Sequence, residues 1–138
     1  MRDVAYIALG SNLGQREVFL AQARRAISSL AQTRVLGQTD AEETAPLGPV
    51  SQGPFLNQMI AIETELSPQD LLEELKRIEV DAGRMRNERW GPRTLDLDIV
   101  LFENQSVRQP GLTVPHPELS NRDFWLRELA TLRSARIG

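Results

Sequence analysis

A short alternating stretch, residues 95–101, constrains the fold most, because only a strand with one buried face fits its pattern. One face of this predicted strand holds four apolar side chains, Leu95, Leu97, Ile99 and Leu101. The other face holds Asp96, Asp98 and Val100. Side chains two residues apart on a strand point the same way and lie about 6–7 Å apart. The two carboxylates are therefore predicted to be close neighbours.

Two carboxylates held this close repel each other unless a cation lies between them. Mg²⁺ fits that need, because proteins hold it on one or two carboxylates together with phosphate oxygens. Four arginines lie just upstream, within residues 84–93, and a guanidinium group is a bidentate partner for phosphate. The stretch is thus typical of a polyphosphate site with bound metal. The residues alone leave another interpretation open, a solvated strand face next to a soluble arginine-rich loop.

Length and charge exclude several classes of protein. With 138 residues we expect one domain over positions 1–138, large enough for a core. The formal net charge of −3 provides no overall basic field for nucleic acid. The chain has no cysteine, so it has no disulfide framework and no cysteine zinc site. No apolar run has membrane-spanning length, and the N-terminus lacks a signal-peptide core, so we expect a cytoplasmic protein.

Apolar periodicity predicts the order strand, helix, strand, strand, helix, strand, followed by a helical tail. The predicted strands are residues 4–9, 33–43, 55–65 and 95–101, and the predicted helices are residues 15–31, 67–83 and 122–132. This order is the ferredoxin-like βαββαβ plan of an α+β fold. It predicts an antiparallel sheet with both main helices packed on one face and Asp96 and Asp98 on the open opposite face.

Three further segments are candidates for function, and each has a plain structural alternative. The proline- and glycine-rich segment 44–54 is a long loop, of a kind that is often functional but can also be an ordinary linker. The only histidine, His116, lies between two prolines, and a lone histidine is more often structural. The turn that begins at Gly10 lacks the glycine spacing and the lysine of a phosphate loop, so a tight turn into a helix is the better interpretation.

The sequence R-W-G-P-R-T-L-D-L-D-I, residues 89–99, resembles the signature of the 6-hydroxymethyl-7,8-dihydropterin pyrophosphokinase family of folate biosynthesis. The T-x-P-L-G-P loop at residues 44–49, followed by Phe55, Leu56 and Asn57, is similar to that family as well. The resemblance runs from Tyr6 to about Leu129. It implies transfer of pyrophosphate from MgATP to the hydroxymethyl group of the pterin, with release of AMP.

The resemblance also implies roles for individual residues. Two Mg²⁺ ions would bind Asp96 and Asp98, and Arg84 and Arg93 would act on the transferring phosphates. The positions that match the pterin pocket are Gly10, Thr44, Pro46, Leu47, Phe55, Asn57, Trp90 and Phe124. The positions that match the ATP site are Lys76, Glu79, Arg84, Arg86, Trp90, Arg93, Ile99, Thr113, His116 and Arg122. The implied state is a monomer whose partners are these two small molecules, without nucleic acid or membrane.

Some features depart from the family pattern or leave other functions open. Glu128 lies where relatives often have proline, and the loop between Arg86 and Trp90 is one residue shorter than in some relatives. A binding paralogue that has lost the chemistry is one alternative, although the acid pair and the arginines argue against it. An RNA-binding module is another, but its sheet face would carry aromatic and basic residues. This chain has aspartates there and only 5% aromatic residues.

Overall fold

The computed structural model describes residues 2–12, 14–44, 54–82 and 95–137; residues 136 and 137 are described by backbone alone. The strands are β1 (Asp3–Ser11), β2 (Thr33–Gln38), β3 (Glu42–Thr44), β4 (Phe55–Thr64), β5 (Asp96–Phe102), β6 (Val107–Gln109) and β7 (Leu112–Val114). The helices are α1 (Arg16–Ser28), α2 (Pro68–Asp81) and α3 (Asp123–Ile137), with a 3₁₀ turn at Leu119–Asn121 before α3.

The main sheet has the strand order β2-β4-β1-β5, and β3 pairs with β4 beyond the end of β2. Every pairing in it is antiparallel, and β6 and β7 form a separate hairpin. The predicted α+β class with an antiparallel sheet is confirmed. The continuous apolar run of β1 follows from its place between β4 and β5, where both of its faces are buried.

One face of the sheet is covered by α1 and α2. Leu20, Ala23 and Ile27 of α1 and Leu71 and Leu75 of α2 pack there against inward side chains of the strands. Helix α2 starts where the sequence predicted, because Ser67 Oγ accepts a hydrogen bond from Asp70 N at 3.1 Å and Pro68 occupies the first helical position. The predicted packing of both main helices on one face agrees with the structure.

The opposite face is only partly open, because α3 packs on it. Trp125 and Leu129 of α3 lie against Tyr6, Ala8 and Met59 of the central strands. The expectation of an uncovered face is therefore wrong over this area. Toward one end of that face the sheet is lined by the small residues Ala8 and Gly10 of β1.

Strand β5 contains a bulge that the alternating pattern did not reveal. The pairing with β1 passes from Ile7–Ile99 to Tyr6–Leu101, so Val100 is an extra residue. An extra residue shifts the side chains that follow it to the other face. Leu101 packs on the α3 side, and the prediction that it shares the buried face of Ile99 is wrong.

Candidate active site

The two aspartates lie in adjacent positions of β5, beside small residues of β1. Asp96 is opposite Gly10, and Asp98 is opposite Ala8. Directly opposed residues of antiparallel strands share one face of the sheet. Ala8 belongs to the cluster under α3, so both half-buried carboxylates lie on the α3 side. The alternation before the bulge thus places the acid pair on one face, as the sequence predicted.

Asn57, Gly10 and Asp96 form a row across three neighbouring strands. Asn57 of β4 is opposite Gly10, and Gly10 is opposite Asp96. Neighbouring strands are about 4.8 Å apart, so the backbones of Asn57 and Asp96 are separated by roughly 10 Å. The middle of this Asn57–Gly10–Asp96 row must stay small, because a Cβ on Gly10 would lie 3.3 Å from Asn57 Oδ1 and 3.4 Å from Phe55 Cδ1.

The Asn57 side chain is held in place by its neighbours. Its Nδ2 donates hydrogen bonds to Thr44 Oγ1 and, at 3.4 Å, to the Phe55 carbonyl. Thr44 is the strand partner of Phe55, so these side chains come together through the pairing of β3 with β4. Four of the residues predicted to bind the pterin, Gly10, Thr44, Phe55 and Asn57, are therefore neighbours in the structure.

Arg16 in the first turn of α1 ties this region to that helix. Arg16 Nη1 donates to the Pro54 carbonyl at 3.0 Å, and Arg16 Nη2 pairs with Glu43 Oε1 at 2.5 Å. Glu43 lies on β3 and Pro54 immediately precedes β4. One guanidinium group thus fixes the adjacent ends of two strands, although no signal in the sequence pointed to this contact.

A cleft of about 280 Å³ runs beside the free edge of β5. Four predicted site residues line it: Asp98, Ile99, Thr113 and His116. Leu72, Gly111 and Pro117 line it as well, and sequence reasoning missed them. Gly111 has φ +81°, which identifies it as a turn glycine between β6 and β7 and explains how that hairpin reaches the cleft.

Glu79 is buried and faces the strand that carries the acid pair. Its Oε2 accepts a hydrogen bond of 2.7 Å from the backbone nitrogen of Leu97, the residue between the two aspartates. Among the described strands β5 lies at the edge of the sheet, so none of them pairs with this N–H on its outer side. The other ATP candidate on α2, Lys76, is exposed and does not line the described cleft.

His116 is brought next to Asp98 by the bulge in β5. The backbone nitrogen of His116 donates to the carbonyl of the extra residue Val100 at 2.8 Å. His116 Nε2 then lies 3.7 Å from Asp98 Oδ1, which is too long for a direct hydrogen bond. His116 Nδ1 accepts a hydrogen bond from Glu118 N at 3.0 Å, so a neutral ring carries its proton on Nε2, toward Asp98.

The electrostatic surroundings keep the His116 ring neutral at pH 7. Burial lowers its pKa below the usual 6.5, and the positive charge of Arg122 lowers it further, while Glu118 has a smaller opposing effect. The contact with Asp98 is therefore not an ion pair at neutral pH. Arg122 precedes α3, and Phe124 is half-buried in the first turn of α3, so both lie on the same side of the sheet as the acid pair.

Several predicted site residues lie outside the described residues. They are Arg84, Arg86, Trp90 and Arg93 in segment 83–94 and Pro46 and Leu47 in segment 45–53. Within the described ranges, no group of three or more histidine, aspartate or glutamate side chains could hold a metal ion. A pair of neighbouring carboxylates is a suitable site for Mg²⁺, because Mg²⁺ usually completes its coordination shell with water and substrate phosphates.

Comparison with known proteins gives the family. The family model of 7,8-dihydro-6-hydroxymethylpterin-pyrophosphokinase (HPPK) matches residues 6–134. The chain belongs to the HPPK family. The match runs from within β1 to within α3, and the family that the residues around Asp96 and Asp98 resemble is thereby confirmed.

Two relatives illustrate how similar this HPPK is to known members. A 2-amino-4-hydroxy-6-hydroxymethyldihydropteridine pyrophosphokinase of Haemophilus influenzae is 46% identical over 130 residues, which cover 94% of this chain and 81% of the relative. The protein of the same name from Bacillus subtilis is 45% identical over 132 residues, which cover 96% of this chain and 79% of the relative.

A solved structure shares the fold of this HPPK. The Plasmodium falciparum HPPK-DHPS with pteroate superposes with a TM-score of 0.70 at 13% identity, covering 91% of this chain and 38% of that chain. At this identity the likeness concerns the fold alone. Among the described residues, no helix is both long and apolar enough to cross a membrane.

Proposed function

We propose that this chain transfers the pyrophosphoryl group of MgATP to the hydroxymethyl oxygen of 6-hydroxymethyl-7,8-dihydropterin and releases AMP, a step of folate biosynthesis. The chain is a diphosphotransferase of the HPPK family, and relatives at 45–46% identity carry the name of this enzyme. The observation that carries the proposal is the Asn57–Gly10–Asp96 row. It puts a residue suited to read a heterocycle and a residue suited to bind metal on one face of a rigid sheet.

We infer that the fold is ferredoxin-like in its details. Strand order β2-β4-β1-β5 with α1 and α2 on one face is the arrangement that a βαββαβ chain produces. The C-terminal helix α3 is then an addition that covers part of the other face. A single domain over residues 1–138, a monomeric state and a cytoplasmic location remain predictions for this chain.

Asp96 and Asp98 would hold Mg²⁺, and we propose two ions, shared with the phosphates of ATP. When bound, the metal neutralises negative charge on the phosphates and on the transferring group. The two aspartates lie on the rigid strand β5, whose backbone Glu79 fixes at the intervening residue. Their contribution would therefore be to hold the metal–phosphate unit at a constant distance from Asn57.

The pterin would bind beside Gly10, whose missing side chain lets Asn57 and Phe55 pack closely against β1. Phe55 and Phe124 would sandwich the ring, and Trp90 would close over it. Asn57 would read the edge of the heterocycle, with its amide oriented by Thr44. Pro46 and Leu47 would complete this pocket. These roles are supported by the resemblance and by the clustering of the described members around the row.

ATP would bind in the cleft beside β5, with its phosphates directed toward Asp98. Ile99, Thr113 and His116 line that cleft, and Arg122 lies beside His116. Arg84, Arg86 and Arg93 would contact the phosphates, because a guanidinium group binds two phosphate oxygens at once. Lys76 and Glu79 complete the set of proposed ATP residues; Glu79 would act from its buried position behind β5.

The reaction replaces one P–O bond at the β-phosphorus by another. The hydroxymethyl oxygen attacks the β-phosphorus, the bond from the β-phosphorus to the α–β bridging oxygen breaks, and AMP leaves. The hydroxyl proton passes to solvent. Positioning the two substrates in line accounts for much of the acceleration of such transfers. Arg84 and Arg93 would stabilise the charge that spreads over the transferring group.

A coupled assay of AMP release tests the proposal directly. The protein is mixed with MgATP, with and without 6-hydroxymethyl-7,8-dihydropterin, and we expect AMP only when the pterin is present. Asp96→Ala should abolish turnover and metal-dependent ATP binding, while circular dichroism remains that of the folded protein. Turnover that survives in Asp96→Ala would refute the metal assignment, and AMP release that ignores the pterin would refute the substrate.

A further inference from the structure

We propose that Trp125 is a positioning residue for the nucleotide. Its indole ring holds His116 and Arg122, the two polar side chains proposed to contact ATP from the α3 side, and it contacts no substrate itself. The inference rests on the proposed function, since that function assigns His116 and Arg122 to the ATP site. It adds a residue to which neither the sequence nor the family resemblance gave a role.

His116 lies against the indole ring of Trp125. The two ring centroids are 4.9 Å apart and the planes meet at 85°, an edge-to-face contact that aromatic rings favour. The backbone of His116 is bound to β5 and its Nδ1 is bound to Glu118 N. The ring contact adds a third constraint, so that Nε2 stays near Asp98.

Arg122 lies over the same indole ring. Its guanidinium carbon is 4.3 Å from the ring centroid, within the range of a cation–π interaction. Arg122 Nε is buried and has no hydrogen-bond partner among the described residues. The ring is therefore a principal restraint on the direction of this guanidinium group, and no described side chain makes a hydrogen bond or ion pair with its outer nitrogens, which would bind a phosphate.

Trp125 can serve as a fixed support because it is itself immobilised. It is only 2% exposed and packs in the cluster beneath α3. Its backbone nitrogen donates to the Arg122 carbonyl at 3.0 Å, which sets the spacing between the two side chains. Glu103 accepts hydrogen bonds from both Tyr6 and Arg133, and this network fixes the far end of α3 to the sheet.

Removing the ring should therefore weaken ATP binding more than it slows the chemical step. A long arginine side chain that is free before binding loses rotamer entropy when it binds, whereas a stacked one has already lost it. For Trp125→Leu we expect the KM for ATP to rise about tenfold, because the variant loses a desolvated cation–π contact, whose typical strength is enough for an effect of this size. The KM for the pterin and kcat should change by less than about threefold, as for an effect on ground-state binding.

Two variants separate positioning from general damage to the core. Leu129→Ala removes another buried side chain of the same α3 cluster, about one helical turn beyond Trp125, and its KM for ATP should stay at the wild-type value. Trp125→Phe keeps a smaller ring in place and should give a KM for ATP between the wild-type and Trp125→Leu values. It also provides the test if Trp125→Leu fails to fold.

A spectroscopic readout tests the contact without relying on turnover. His116 is the only histidine, so its two ring C–H signals are assigned without ambiguity in a nuclear magnetic resonance spectrum. They should move in Trp125→Leu, because the ring current of the indole is lost, and stay in place in Leu129→Ala.

The outcomes are distinct. A raised KM for ATP in Trp125→Leu, with wild-type values in Leu129→Ala, supports the proposal. Equal effects in the two variants, or unmoved His116 signals in Trp125→Leu, overturn it. Absence of pterin-dependent AMP from the wild-type protein refutes the proposed function instead, and the His116 signals then still report whether Trp125 holds that ring.

Discussion

Replacing Glu128 by glutamine should stabilise the protein at high pH and leave its stability nearly unchanged at low pH. Glu128 lies on α3, is only 3% exposed, and neither carboxylate oxygen has a hydrogen-bond partner among the described residues. Burial raises its pKa from 4.5 to about 7; the negative charge of Glu42 adds to this, and Arg127 opposes it. A buried carboxylate without a partner is costly, so the carboxyl group stays protonated near neutrality.

The direction of the stability change with pH follows from the number of protons that the folded and unfolded states bind. Between pH 4.5 and about 7 the folded state holds a proton on Glu128 that the unfolded state has released. Stability therefore falls as pH rises through this window, and the loss is complete above it. Each pKa unit corresponds to about 1.4 kcal/mol, so the shift sets an upper limit of about 3 kcal/mol. Because side chains and solvent relax around a new charge, we expect about 2 kcal/mol.

Urea unfolding at pH 5 and pH 8 measures this difference. The free energy of unfolding of Glu128→Gln should exceed that of the wild type by about 2 kcal/mol at pH 8 and by less than about 0.5 kcal/mol at pH 5. His116 is present in both proteins, so its contribution to the pH dependence cancels. Glu73→Gln, which removes an exposed carboxylate of α2, is the matched control and should show no such pH dependence.

If the free energy of unfolding of Glu128→Gln and of the wild type changed equally between pH 5 and pH 8, the reasoning would be refuted. This result would mean that Glu128 is ionised in the folded protein at neutral pH and that its charge is compensated. A destabilised Glu128→Gln at both pH values would point instead to a hydrogen bond that the carboxyl group makes and the amide cannot replace.

Two smaller predictions concern α2. Glu79→Ala removes the acceptor for the Leu97 N–H at the outer edge of β5, so it should lower the free energy of unfolding by about 2 kcal/mol in urea titrations. It should also raise the Mg²⁺ concentration for half-maximal activity about tenfold. Glu79→Gln keeps an acceptor, so both of its effects should be much smaller. Ser67→Ala removes the N-cap bond to Asp70 and should cost about 1 kcal/mol in the same titrations, with no change in Mg²⁺ dependence.

Features that depend on residues close together in the sequence could be predicted. The alternation in residues 95–99 predicted which way Asp96 and Asp98 point, and Ser67-Pro68 predicted the start of α2. Both depend on neighbours within a few residues, where side-chain direction and capping are decided. The α+β class followed from the order of such elements.

Features that depend on contacts between distant segments could not be predicted in this way. The bulge at Val100 arises from pairing with β1, and it decides both the direction of Leu101 and the place of His116. Glu79 has the sequence setting of a surface residue near the end of a helix, yet α2 turns it toward the backbone of β5. A helical pattern shows which residues share a face but not which strand edge a polar residue on that face will meet.

The geometry of the proposed site is a property of the sheet more than of its loops. The separation of Asn57 and Asp96 is two strand spacings, and it is fixed by the hydrogen-bonded pairing of β4, β1 and β5. Gly10 lets the Asn57 side chain pack closely against β1, and Glu79 accepts a hydrogen bond from Leu97 N at the outer edge of β5. Substitutions in segments 45–53 and 83–94 should therefore change the affinity for the substrates and the rate of the transfer step. The separation of Asn57 and Asp96 should change only when the pairing of β4 or β5 with β1 changes.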